Sequence, residues 1–104
     1  MTDNIAPAKE FARRVRERLG EACLGIVLFG SRARDAARPE SDYDVMVLVD
    51  RASDELQRLV QDTAFEAALD LDCVFSPVTF EARLYEHDRY EPLFINVRRE
   101  GLAL

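Results

Sequence analysis

The chain has 104 residues, 48% of them apolar and 33% charged, with a formal net charge of −6. That length predicts one domain over residues 1–104, and the apolar fraction excludes a disordered chain. The acidic balance, 14 Lys and Arg against 20 Asp and Glu, argues against an extended nucleic-acid-binding surface, which needs many cations on one face.

No apolar run is long enough to cross a bilayer, and no basic-then-apolar segment opens the chain. A cytoplasmic protein with no membrane contact is expected. Cys23 and Cys73 sit among apolar neighbours without metal-ligand spacing, which reads as free thiols in a reducing compartment.

The spacing predicts a first helix over 7–19. Ala8, Phe11, Ala12, Val15 and Leu19 recur on one side, Pro7 suits the first turn and Gly20 the stop. Residues 25–29 form a short apolar strand ended by Gly30-Ser31. A short helix over 31–37 and a loop with Pro39 as breaker follow. A strand is expected over 42–49, then a helix over 53–68 with Ser53 as N-cap and Asp54 and Glu55 in its first turn.

Residues 69–75 alternate, which predicts a strand with Leu71, Cys73 and Phe75 on one face and Asp70, Asp72 and Val74 on the other. Ser76-Pro77 caps a further helical segment around Phe80 to Tyr85. A last helix over 90–100 is marked by Tyr90, Leu93, Phe94 and Val97, with Gly101 as stop. Tyr85 and Tyr90 read as packing residues and the single histidine, His87, as surface. The apolar tail Leu102-Ala103-Leu104 is expected to fold back on this domain or on a partner, as in a homo- or hetero-oligomer. The order of elements predicts an α/β (α+β) structure: a small mixed β-sheet flanked by helices. The helix over 53–68 joins parallel strands, and the shorter 30–42 connection joins antiparallel ones.

The chemistry concentrates between Gly30 and Asp44. Side chains alternate across a strand, so Asp42 and Asp44 share a face. Two carboxylates that close repel unless a cation lies between them. Carboxylate oxygens suit Mg²⁺, which usually shares its shell with substrate phosphates. With Asp72 beside them, three carboxylates can hold two Mg²⁺ ions about 4 Å apart, the arrangement that serves attacking and leaving oxygens in nucleotidyl transfer. Gly30 permits close approach of backbone to phosphate, Ser31 offers its hydroxyl and N–H, and Arg32 or Arg34 can neutralise terminal phosphates. An acceptor hydroxyl then attacks the α-phosphorus of a nucleoside triphosphate. Pyrophosphate leaves, and Asp72 assists deprotonation. Asp70, two residues before Asp72, is the competing third carboxylate.

Gly30-Ser31, ten further residues and Asp42-Tyr43-Asp44 resemble the signature of the DNA polymerase β-like nucleotidyltransferase superfamily. Gly30-Ser31-Arg32-Ala33-Arg34, Ser41-Asp42-Tyr43-Asp44 and Arg98-Arg99-Glu100-Gly101 are similar, more narrowly, to minimal nucleotidyltransferase (MNT) proteins. The resemblance implies the polymerase β-like fold, Mg²⁺ and nucleotide binding, with Asp42, Asp44 and Asp72 matching the three carboxylates. It also implies an antitoxin whose partner is a HEPN-domain toxin, an RNase, neutralised by transfer of AMP from ATP to a tyrosine. Asp35 stands where such relatives commonly have glycine. Two other readings remain open: a nucleotidyltransferase acting on a small-molecule hydroxyl, and a noncatalytic subunit that masks its partner by contact.

Overall fold

The computed structural model describes residues 4–34 and 38–104. In chain order it contains α1 (Ala6–Leu19), β1 (Cys23–Phe29), β2 (Tyr43–Val49), α2 (Asp54–Leu71), β3 (Phe75–Glu81), α3 (Ala82–His87), α4 (Pro92–Glu100) and β4 (Leu102–Ala103). A 3-10 turn over Gly30–Arg32 replaces the expected short helix. Ala33 and Arg34 continue as a turn, and residues 35–37 of that expected helix, Asp35 among them, lie outside the described residues.

The strands form one mixed sheet in the order β3-β2-β1-β4. β1 runs antiparallel to β2 and β4, while β2 and β3 are parallel across the α2 crossover. The short connection could only return the chain antiparallel, whereas the 18-residue helix carries it back to restart in the same direction. The tail does fold back on this domain: β4 pairs with Val27 and Leu28.

One face of the sheet is covered by α1 and α2. Ala8, Phe11, Ala12, Val15 and Leu19 all point inward, meeting Ile26, Leu28, Val45, Val47, Val49, Val60 and Phe75. Phe11 stacks on Phe75 at 4.8 Å between ring centroids. The outer side of α1 is laced by Arg13, which bonds both Glu10 and Glu17. On the other face a smaller core gathers Met46, Leu48, Phe94 and Val97 beneath α4. Phe80 and Tyr85 meet Phe94 edge-on at 5.0 and 5.4 Å. Tyr85 therefore packs as expected and His87 is exposed, but Tyr90 is 90% exposed and precedes α4 rather than helping to seat it.

The largest departure lies between α2 and β3. Residues 69–71 are the last turn of α2 and not the start of a strand; β3 begins at Phe75. Alternation at 71, 73 and 75 is equally served by a helix end followed by a turn, and Leu71 and Cys73 still reach the α1–α2 core. The break occurs at Asp72, which adopts a left-handed conformation at the helix C-cap (φ 53°, ψ 49°). Short polar side chains tolerate that conformation best after glycine. β3 then passes through Ser76-Pro77 to Glu81, so the segment expected to be helical around Phe80 is extended until Ala82. Proline is accommodated because β3 is an edge strand.

Candidate functional site

The acidic pair sits where β1 ends and β2 begins. Asp44 is cross-strand from Phe29, and Gly30 follows at once with φ +73°, a left-handed conformation. A Cβ built on Gly30 would overlap the Asp44 carboxylate. Glycine is therefore required twice over, by backbone conformation and by the closeness of Asp44. Its carbonyl accepts from the N–H groups of Ala33 and Arg34 at 3.1 and 3.3 Å, closing the turn that presents the half-buried Ser31.

Asp42 is exposed and Asp44 half-buried. Burial first, then the charge of Asp42, pushes the Asp44 carboxyl above the ordinary carboxylate value, and Arg34 partly opposes this. An added cation would relieve the repulsion, which is the electrostatic signature expected of a cation-binding carboxylate pair. The Ser76 hydroxyl donates to Asp42 Oδ2 at 3.0 Å from the neighbouring strand. Sequence reasoning overlooked Ser76; its only signal was a turn-like Ser-Pro pair that the fold places inside β3.

The two arginines differ from each other. Arg32 donates from Nε and Nη2 to the Ser41 carbonyl at 3.2 and 2.8 Å, and from Nη2 to the Pro39 carbonyl at 3.2 Å. Its guanidinium also lies 4.3 Å from the Tyr43 ring centroid. It thus clamps the loop leading into Asp42, a geometry that suits a planar five-donor cation and that lysine would not reproduce. These bonds give Arg32 a positioning role on the loop before Asp42. Arg34 is exposed beside Asp44 and forms an ion pair with Glu100 at 2.9 Å. Glu100 ends α4, so the Arg-Arg-Glu-Gly run of the sequence closes on the site. The following Gly101 is needed for space, because a Cβ there would strike the Val97 carbonyl and the Val27 side chain.

The third carboxylate is not brought in. Asp72 caps α2 instead of projecting from a strand. It lines a cavity of about 310 Å³ with Pro39, Glu40, Ser41, Ala68, Cys73 and Val74, a lining that includes neither Asp42 nor Asp44. Its competitor Asp70 is ion-paired to Arg14 of α1 at 2.8 Å. Among the described residues, no group of three or more His, Cys, Asp or Glu is placed to hold a metal ion. The described helices include none long and apolar enough to cross a membrane, and both cysteines are free.

No curated protein sequence matches the chain. Solved structures do. A toxin–antitoxin complex with AMP-PNP matches with a TM-score of 0.63 at 20% identity, over 91% of this chain and 70% of that one. A mutant of the MntA–HpeT toxin–antitoxin gives 0.63 at 22% identity, over 93% and 70%. A Shewanella oneidensis tri-AMPylated HEPN toxin in complex with MNT antitoxin gives 0.61 at 19% identity, over 97% and 71%. These likenesses establish a shared fold, the mixed sheet with helices on both faces. The family model of the nucleotidyltransferase domain matches residues 8–95, a span that carries Gly30, Ser31, Asp42 and Asp44. The chain belongs to the nucleotidyltransferase domain family.

Proposed function

We propose that this chain is an MNT-type antitoxin that transfers AMP from ATP to a tyrosine of a HEPN-domain toxin in the cytoplasm. The observation that carries the reading is the abutment of Gly30 on the Asp44 carboxylate, with Asp42 two residues away on the same face. A glycine turn for phosphate and a carboxylate pair for its counter-cation thus meet at one strand end. The relatives of shared fold support the donor and the acceptor, since one was solved with AMP-PNP and another with an AMPylated HEPN toxin.

Asp42 and Asp44 fit one Mg²⁺, an ion commonly held by one or two carboxylates with substrate phosphates filling the shell. When bound, it would screen the triphosphate and polarise the α-phosphate. The remaining work falls to the chain. The Gly30-Ser31 turn orients the triphosphate by backbone N–H groups and the Ser31 hydroxyl. Ser76 fixes the rotamer of Asp42, and the Arg32 clamp holds the loop before it. Arg34, at the mouth, faces the departing pyrophosphate, with Glu100 restraining it. The acceptor oxygen bonds to the α-phosphorus as the bond to the bridging oxygen breaks.

Incubation with Mg-ATP and any HEPN-domain protein encoded beside it should add the mass of AMP to that protein. The gain should vanish with Asp42→Ala/Asp44→Ala. A stable, neutralised complex without any mass gain would overturn the transfer reading in favour of masking by contact.

A further inference from the structure

Building on that reading, we infer that the described residues of this chain furnish carboxylate ligands for one cation only and no base for the attacking hydroxyl, a lack that an acceptor of phenolic acidity tolerates. The register of β2 and β3 carries the argument. Tyr43 pairs with Phe75 and Asp44 with Ser76, and the Tyr43 N–H donates to the Val74 carbonyl at 2.9 Å. The Tyr43 and Phe75 rings meet at 5.5 Å within the α1–α2 core. Alternation then sets residues 74, 76 and 78 beside 42, 44 and 46 on the opposite face.

A carboxylate able to complete a two-ion site from β3 must stand at one of those three positions. They hold Val74, Ser76 and Val78. Ser76 is hydrogen-bonded to Asp42, and Val78 is packed into the core around Met46. Val74 is 54% exposed, an apolar side chain in the open next to two acids. The acids nearest in sequence are diverted, Asp72 to the α2 cap and Asp70 to Arg14. Glu100, at the end of α4, is ion-paired to Arg34. Among the described residues Asp42 and Asp44 remain, and both are needed for the nucleotide-bound cation.

Without a base from β3, the acceptor must lose its proton unaided. A tyrosine ionises near pKa 10, far below water or an aliphatic hydroxyl. The phenolic proton passes to solvent and the phenolate oxygen forms the new bond to the α-phosphorus. The bond from that phosphorus to the bridging oxygen breaks, and pyrophosphate leaves with the electron pair. An aliphatic hydroxyl has no such route at neutral pH.

Counting bound Mn²⁺ by electron paramagnetic resonance, with saturating α,β-methylene ATP, tests the inference without turnover. One ion per chain is expected, rising to two in Val74→Asp or in Ser76→Asp. Because Val74 is exposed, the first substitution leaves the core untouched. AMP transfer to the partner tyrosine should rise by about 10²-fold in Val74→Asp, the usual scale of a positioned base. Two ions in the unaltered chain, or one ion in both variants, would overturn the inference while leaving the proposed function standing. Failure of the analogue to bind at all would overturn both.

Discussion

The two faces of the sheet are built on opposite principles. The face under α1 and α2 is apolar throughout and closed, with Phe11, Val15, Val45, Val47, Val49 and Val60 all fully buried. The other face is covered only in part, by α4 and the cluster around Phe94, and its far end carries the acids, the left-handed Gly30 and the exposed Val74. Most of the buried apolar packing lies on the first face. On the second, a raised Asp44 carboxyl is retained at some cost to stability, as expected where a site must receive an anion and its cation.

The sharpest way to break the comparison is to exchange the consequences of mutation between faces. Phe11→Ala removes a buried ring stacked on Phe75 and should lower unfolding free energy by about 3–5 kcal/mol in urea titration. Gly30→Ala should cost about 1–3 kcal/mol, because φ is positive and the new Cβ meets Asp44. It should also abolish nucleotide binding measured by calorimetry, a loss out of proportion to its effect on folding.

Asp44→Asn should behave in the reverse sense. A folded-state pKa raised above the unfolded value contributes stability at low pH that is lost as pH rises through it, so at neutral pH the ionised Asp44 is a burden. The variant should melt slightly higher than the parent near pH 7 while losing affinity for nucleotide. The smallest effect belongs to Glu10. Hydrogen bonds from Arg13, aided by Arg14, pull its carboxyl down to about 2. Its contribution is present above the unfolded carboxylate range and is lost as pH falls toward 2. Glu10→Gln should flatten that part of the acid stability profile, an effect kept small by solvent screening around the exposed Arg13.

Much of this was legible from residues alone, for physical reasons that can be named. α1 declares itself because five apolar side chains recur at helical spacing between a proline and a glycine. The Asp-X-Asp entry into β2 is read from strand alternation, and the antiparallel β1–β2 pair from the length of its connection. The end of α2 was not legible. Leu71, Cys73 and Phe75 satisfy a strand pattern and also a helix end plus turn, and only the left-handed Asp72 decides between them. That single boundary shift moves Asp72 off the sheet and brings Val74 and Ser76 to the site. The Arg32 clamp was not legible for a different reason: its three bonds to carbonyls at Pro39 and Ser41 depend on a loop path that local sequence does not encode. The Arg34–Glu100 pair joins residues far apart in the chain, and the sequence offered it only as two separate motifs.

The central claim is that the acid-bearing end of the sheet directs attack at the α-phosphorus of ATP. ATP labelled at the α-phosphate and ATP labelled at the γ-phosphate, each offered with Mg²⁺ and the proposed HEPN-domain partner, separate this from every other phosphate chemistry. The account predicts label on the partner from the α-position, none from the γ-position, and loss of the α-label with Asp42→Ala/Asp44→Ala. Label arriving from the γ-position, or α-label that survives loss of both aspartates, would contradict it.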